Sequence, residues 1–408
     1  MLVLEAKLYG RPGQYRAIDG AIRTAQFIRN KALRHWMDNW GVQKRDLNKL
    51  CRTLAQEHEV ARQLDAQARQ GAAERAWAAI SRFYQNCRKQ VPGGYPQFKK
   101  NGRSVAYKQT GWKLSACRKY LTLTDGKHIG RLKLRSGYDL HRYDPSQIKQ
   151  VRLVRRADGY YAQFCVDAER RIELEPAHRE LGLDVGLEHF HTDSEGDRVA
   201  NPRYLQRSER KLKRLNRRVH KKPKGSNNRR KAVNRLGRQH LKVQRQRQNF
   251  AVKQARCVVT SADVVAFEAL NVRGLVRNRH LAQSISDAAW SQFARWLQYF
   301  GQVFGKVVMA VPPQYTSQDC SACGARASKT LSTRTHQCPS CGTTLDRDEN
   351  AAINILQQGL RQAGADATRA GQARSHALGE ETATPLGESR AAQVSSPNQE
   401  SASSATGG

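Results

Sequence analysis

Four cysteines, Cys320, Cys323, Cys338 and Cys341, fall as two CxxC pairs, CSAC and CPSC, with fourteen residues between the inner two. Thiolates at this spacing suit a tetrahedral zinc site, because each pair forms a knuckle and two knuckles close a zinc ribbon. Gly324 and Gly342 each follow a knuckle and can take the positive φ that such a turn needs. With sulfur at all four positions, the expected ion, one Zn²⁺ per chain, is structural and not catalytic. The polar segment around it, YTSQDCSACGARASKTLSTRTHQCPSCG, has no apolar core of its own. The other cysteines (Cys51, Cys87, Cys117, Cys165 and Cys257) are scattered singly, and nine is an odd total, so no disulfide framework is indicated.

A second chemistry lies in carboxylates set into apolar runs. Asp184 interrupts LGLDVGLEHF, Glu268 ends VVAFE, and Asp346-Arg347-Asp348 precedes ENAAINIL. An ionised carboxylate in a buried strand is costly unless it is paired or binds a cation. Three converging acids would repel one another and call for divalent metal. Oxygen ligands suit Mg²⁺, and two such ions can activate water and stabilise the leaving oxygen in phosphodiester hydrolysis. Taken singly, each acid is better explained as the partner of one of the 71 Lys and Arg residues, and Asp346 or Asp348 could instead cap the following helix.

The elements that must position these groups are legible in outline. Residues 15–90 read as helical, with Trp77, Ile80, Tyr84 and Cys87 at the spacing of one helix face. VPGGYPQF breaks that pattern, and YLTLTDGKHIGRLKL and VRLVRRADGYYAQFCV follow as hairpins around Asp-Gly turns. With the N-terminal LVLEAKLY they suggest a small β-barrel. LGLDV, ADVVAFEAL and KVVMAV read as strands, with the amphipathic AAWSQFARWLQYFGQVF between the last two, the order of an α/β sheet. Beyond Leu356 the sequence dissolves into Ala, Gly, Ser, Thr and Gln, and 357–408 reads as a disordered tail.

Charge narrows the partner. The chain carries a formal +36, and between Arg207 and Arg256 twenty Lys and Arg stand against one acid, Glu209. Leu212, Leu215 and Val219 mark a thin apolar stripe, and PKGSNN divides the run into a helical hairpin over 205–256. Solvated helices usually mix signs, so a one-sign surface points to a nucleic-acid backbone, with Arg210, Lys211, Arg214, Arg217, Arg218, Arg229, Arg230 and Lys231 as candidate phosphate contacts. No apolar run approaches the ~20 residues of a membrane span. MLVLEAKLYGRPGQ also lacks the pattern of a signal peptide, so a location in the cytoplasm is expected.

In order and spacing, LGLDVGLEHF, VVAFEALNVRGL, SISDAAWSQFARWLQYF, PPQYTSQDCSACG and CPSCGTTLDRDENAAINIL resemble the TnpB family over roughly residues 5–356. These are RNA-guided nucleases encoded by bacterial insertion sequences, also described as transposases, and related to type V CRISPR effectors. The resemblance implies an α/β protein with a β-barrel and a helical lobe, in which an RNase H-like (RuvC) nuclease domain carries an inserted zinc ribbon. It assigns a wedge-like barrel to 1–14 and 91–180, a recognition lobe to 15–90, the nuclease domain to 181–356 and the ribbon to 315–345.

By the same resemblance Asp184, Glu268 and Asp348 are the catalytic acids and hold two Mg²⁺, Asp348 is chosen over Asp346, and Arg347 steadies the scissile phosphate. The implied partners are a guide RNA made from the transposon end and a double-stranded DNA target read beside a short motif, the protein acting as a monomer with its RNA in a prokaryotic cell. Glu188 departs from the family pattern by placing an acid close to Asp184. Rival readings are a catalytically silent guided DNA-binding repressor, a DNA transposase that joins ends, and a miniature CRISPR effector.

Overall fold

The computed structural model describes residues 1–328 and 333–379. Its first half joins a sheet to a small set of helices. Strand β1 (Leu2–Tyr9) leads into helix α1 (Pro12–Asp38), which starts with proline at its first position, a residue already set for helical φ. Gln14 accepts from the Arg11 N–H at 2.9 Å and donates to the carbonyls of Ile129 and Arg131 at 2.7 and 2.9 Å, so one amide fixes both the helix start and its place on the sheet. Helices α2 (Lys44–Glu57), α3 (Glu59–Arg62) and α4 (Ala66–Arg88) follow, the last capped by Asp65 through the Ala68 N–H.

The buried face of α4 is Ala68, Gly71, Ala72, Ala73, Ala76 and Ile80. Small residues let α1 approach closely, so the stripe differs from the expected one. Tyr84 and Cys87 lie exposed on the last turns of α4.

Strands β2 (Ser104–Tyr107), β3 (Trp112–Leu114), β4 (Tyr120–Leu123), β5 (Gly130–Ser136), β6 (Ile148–Arg156) and β7 (Gly159–Val166) complete a seven-stranded antiparallel sheet in the order β2-β6-β7-β1-β5-β4-β3. Both expected hairpins, β4–β5 and β6–β7, are present, and β1 is inserted between them. The expected barrel is not closed by hydrogen bonds: β2 and β3 end the order, each paired on one side. Helices and sheet bury one continuous core, including Leu8, Ile18, Leu33, Ile80, Tyr107 and Phe164. The expected lobe and barrel are thus packed as one body.

The second half is built on strands β8 (Glu180–Asp184), β9 (His189–Asp193) and β10 (Arg198–Ala200). The basic hairpin follows as α5 (Tyr204–His220) and α6 (Asn227–Ser261), the latter capped by Ser226. Strand β11 (Val264–Glu268), helices α7 (Val272–Leu275), α8 (Ala282–Ala288) and α9 (Trp290–Phe304), strand β12 (Val307–Val311), the short pair β13 (Thr335–Gln337) and β14 (Thr344–Asp346), and helix α10 (Arg347–Gly379) complete the described chain.

The sheet order is β10-β9-β8-β11-β12, with β8, β11 and β12 parallel and β9 antiparallel to β8. Residues of α6, α8 and α9 share a core with β8, β9 and β11 on one face. On the other face lies α10, where Ile355 packs with Ala266 and Val311. That approach requires glycine: a Cβ on Gly182 would stand 2.0 Å from the Ala352 carbonyl oxygen, and one on Gly359 would stand 2.7 Å from the Ala266 Cβ.

The helix does not stop near Leu356. It runs to Gly379, so residues 357–379 correct the expected disordered tail; their alanines and glutamines favour helix where apolar periodicity is lost. The rest of that tail, 380–408, lies outside the described residues.

Candidate active site and cysteine cluster

Two of the three expected acids end neighbouring parallel strands. The β8–β11 register pairs Leu183 with Phe267, so Asp184 and Glu268 stand one step further along, at the same C-terminal edge. In open α/β sheets this edge is where ligands bind. The third acid, Asp348, sits in the first turn of α10, four residues before the Ala352 carbonyl that rests on Gly182. The glycine contact therefore brings the helix start over the end of β8.

The electrostatics follow from this placement. Burial, then the neighbouring charges of Glu268 and Asp348, push the Asp184 carboxyl up to about 8, against the opposing pull of Arg347. Burial also raises Glu268, partly offset by a hydrogen bond from Thr316 Oγ1 to its Oε1 at 2.5 Å. Asp348 is held by Arg347, whose Nε and Nη2 lie 3.0 and 2.7 Å from Oδ1, with Arg334 Nη1 3.8 Å from Oδ2.

Asp346 does something different. Its Oδ1 accepts from the N–H groups of Asp348 and Glu349 at 2.9 and 3.4 Å, and its Oδ2 pairs with Arg198 at 3.0 Å. It is the cap of α10, which leaves Asp348 as the acid of the pair turned to the cluster. Glu188 does not crowd Asp184: its exposed carboxylate pairs with Arg334 at 2.7 Å.

The four cysteines converge as their spacing predicts. Among the described residues theirs is the group of metal-binding side chains whose ligand atoms all lie within 4.8 Å of one another; the three carboxylates are not drawn into such a group. Sγ separations are 3.7 Å for Cys320–Cys341 and 3.5 Å for Cys323–Cys338. A tetrahedron with metal–sulfur bonds of about 2.3 Å has edges of about 3.8 Å, so this cluster could hold a zinc ion. Gly324 and Gly342 stand at φ +76° and +75°, and their N–H groups donate to the carbonyls of Cys320 and Cys338 at 2.8 and 3.1 Å, closing two equivalent knuckles.

The basic hairpin presents Arg210, Lys211, Arg214, Arg217, Arg218, Arg230 and Lys231 on exposed surface. Arg229 is different: it is half-buried, and its Nη1 donates to the carbonyls of Val219 and Lys222 at 3.1 and 2.9 Å. It serves the C-terminal end of α5, where unsatisfied carbonyls attract a cation.

Sequence reasoning missed Thr316, Asn350 and Asn354, all buried beside the acids. The available signal was a pair of amides four residues apart on the apolar face of ENAAINIL, where polar groups need partners.

Two stretches of the chain match family models. Residues 163–279 match one described as "Probable transposase" (OrfB_IS605), and residues 290–355 match one described as "Cas12f1-like, TNB domain". A Streptomyces pristinaespiralis protein named "Putative RNA-guided DNA endonuclease" is 36% identical over 182 residues, covering 44% of this chain and 45% of that protein, so the match spans under half of that relative's length. In Escherichia coli (strain K12), "Putative RNA-guided DNA endonuclease InsQ" is 28% identical over 298 residues, 69% of this chain and 72% of that one. The structure of the mini-RNA-guided endonuclease CRISPR-Cas phi3 superposes with a TM-score of 0.51 at 9% identity, covering 88% of this chain and 92% of that chain, a likeness of fold alone.

By fold, then, the chain is a mixed α/β protein built like that endonuclease. By sequence it is a relative of the TnpB family of insertion-sequence proteins, and the resemblance carried by its motifs is borne out.

Proposed function

We propose that this protein is an RNA-guided endonuclease that hydrolyses phosphodiester bonds of a double-stranded DNA target, and that residues 181–356 form its RuvC-type, RNase H-like nuclease domain. The observation that carries the reading is the meeting of Asp184, Glu268 and Asp348 from three separate elements at one sheet edge, with Asp184 raised to about 8 by burial and by the other two acids. The β10-β9-β8-β11-β12 order, with β9 antiparallel, agrees with an RNase H-like sheet.

The donor set fits Mg²⁺: all three are carboxylates, and their mutual repulsion in a buried edge is what a divalent cation would relieve. A pair of bound Mg²⁺ ions would supply an activated water and stabilise the leaving oxygen. Asp184, Glu268 and Asp348 would hold these ions, and Arg347, paired to Asp348 here, would steady the scissile phosphate. A zinc ion held by the cysteine cluster would keep the ribbon folded.

The exposed cations of α5 and α6 neutralise nucleic-acid phosphates, while base pairing in the guide carries sequence specificity. Among the described residues no helix is long and apolar enough to cross a membrane.

The test is purification with RNA transcribed from the flanking element end, followed by cleavage of a matched plasmid in Mg²⁺. Wild-type protein should cut, while EDTA or Asp184→Ala should abolish cutting. Cutting by Asp184→Ala sinks the site assignment, and cutting indifferent to the RNA sinks the guided reading. Free hydrolysed ends distinguish this chemistry from joining by a transposase.

A further inference from the structure

Glu268 ends β11 as a half-buried carboxylate, and the group that meets it comes from the turn leading into the first cysteine knuckle. Thr316, 4% exposed, donates its hydroxyl to Glu268 Oε1 at 2.5 Å. The residue before it, Tyr315, stands at φ +62°. That left-handed conformation is strained for a bulky residue and persists only where its surroundings enforce it.

Several contacts enforce it here. The N–H groups of Gln318 and Asp319 both donate to the Tyr315 carbonyl at 2.9 Å. The Arg326 guanidinium lies 3.5 Å from the centre of the Tyr315 ring and pairs with Asp319 at 2.8 Å.

On its inner side the turn is clamped to α10. Asn354 Nδ2 donates to the carbonyls of Thr316 and Asp319 at 2.8 and 2.7 Å, and Asn350 Nδ2 donates to the Asp319 carbonyl at 2.9 Å. The Oδ1 of Asn350 accepts from the Ser321 N–H at 3.0 Å. Both amides are buried, at 0% and 6% exposure, where an unpaired polar group would be costly, so they hold the turn in a single register. Asn350 follows Asp348 by two residues on the same helix.

The Thr316 hydroxyl is not among these backbone and amide contacts. Its bond goes to Glu268 instead. A hydroxyl donating to one carboxylate oxygen fixes the rotation of the group and leaves the lone pairs of the other oxygen for a cation. We propose that Thr316 is a positioning residue for Glu268, held in register by Asn350 and Asn354, so that the cysteine knuckle is mechanically tied to the acid cluster. The inference rests on the reading of Asp184, Glu268 and Asp348 as divalent-ion ligands.

The test measures Mn²⁺ binding by titration calorimetry on the full chain with its RNA, alongside cleavage. Thr316→Val, which removes the hydroxyl at constant shape, should weaken Mn²⁺ binding by roughly 10–100-fold, the usual effect of losing a partner that orients a metal ligand. Thr316→Ser should stay within about threefold of wild type. Added to Glu268→Gln, Thr316→Val should change Mn²⁺ affinity by less than about twofold, because its route of action is already gone.

Wild-type Mn²⁺ affinity in Thr316→Val, with Asp184→Ala losing binding, overturns the positioning role and leaves the nuclease reading intact. Unchanged Mn²⁺ binding in Asp184→Ala removes the reading itself, and the inference with it. Should Thr316→Val fail to fold, Thr316→Ser decides alone: a serine variant that melts like wild type yet binds Mn²⁺ tenfold more weakly refutes the role of the hydroxyl.

Discussion

Replacing Gly182 by alanine tests the joint on which the acid cluster is assembled. In an exposed strand that change would be mild or slightly stabilising, since glycine gives up more chain entropy on folding. Here the new Cβ would stand 2.0 Å from the Ala352 carbonyl oxygen, with Leu356 N and Cβ at 2.8 and 2.9 Å. Ordinary contact begins near 3.4 Å, so α10 must retreat from β8 by about 1.4 Å. The obstacle is backbone and cannot rotate away.

Overpacking of this kind costs about 1–3 kcal/mol, and a fixed obstacle favours the upper end. At about 2–4 °C per kcal/mol, the melting temperature should fall by roughly 6–12 °C. The same retreat carries Asp348 away from Asp184 and Glu268, and a misplacement of about 1 Å in reacting groups can cost ~10²-fold in rate. Thermal unfolding and single-turnover cleavage in saturating Mg²⁺ measure the two effects. Ala352→Gly should not rescue either one, because the clashing atom is a main-chain oxygen that glycine keeps. A Gly182→Ala protein that melts within 2 °C of wild type and cuts within about threefold of its rate would refute the argument that this contact sets the site.

Three further outcomes are expected. Metal analysis should find one zinc per chain, and Cys320→Ser should lose it together with the cooperative melting of the ribbon, because a closed thiolate site contributes folding energy directly. Asp346→Ala should cost about 1 kcal/mol of stability through the lost cap while retaining most cleavage, whereas Asp348→Ala should abolish cleavage with little loss of nucleic-acid binding; equal effects on cutting would undo the distinction between the two acids. His191, 4% exposed, stacks on Phe293 at a ring-centroid distance of 5.6 Å, and burial lowers its ring from 6.5 to about 4. The unfolded chain therefore takes up the proton first as pH falls. Stability from this residue is complete above pH 6.5 and is lost progressively between 6.5 and 4, by roughly 3 kcal/mol in all, and His191→Leu should flatten that part of the stability–pH curve measured by urea unfolding.

Local chemistry made some features legible and left others hidden. The cysteine knuckles were readable because ligand type, spacing and the two glycines are all contained in one short stretch. Asp184 and Glu268 were readable as acids in apolar strands, but their meeting depends on the β8–β11 register, which is set across the long intervening stretch 185–263. The choice of Asp348 over Asp346 came from family resemblance, and it agrees with Asp346 being engaged in capping α10.

Other features depended on packing that no periodicity encodes. The alanine-rich contact face of α4 displaced Tyr84 and Cys87 outward, because close helix approach can use small residues as well as large ones. Arg229 reads as one more cation in a basic run, yet three-dimensional proximity gives it the carbonyls at the end of α5. The continuation of α10 to Gly379 was hidden because polar and small residues specify helix by propensity without an apolar stripe.

The position of α10 in the chain also orders events in time. On the proposed reading, Asp184 and Glu268 leave the ribosome well before Asp348, and the surface that unites them is completed only when α10 docks across Gly182 and Gly359. The basic hairpin has by then already been synthesised. On that reading a growing chain would present its basic surface before its acid cluster, and a message broken ahead of codon 348 would yield a chain with the basic hairpin but without Asp348. Among the described helices, the one made last is the one that would complete the proposed site.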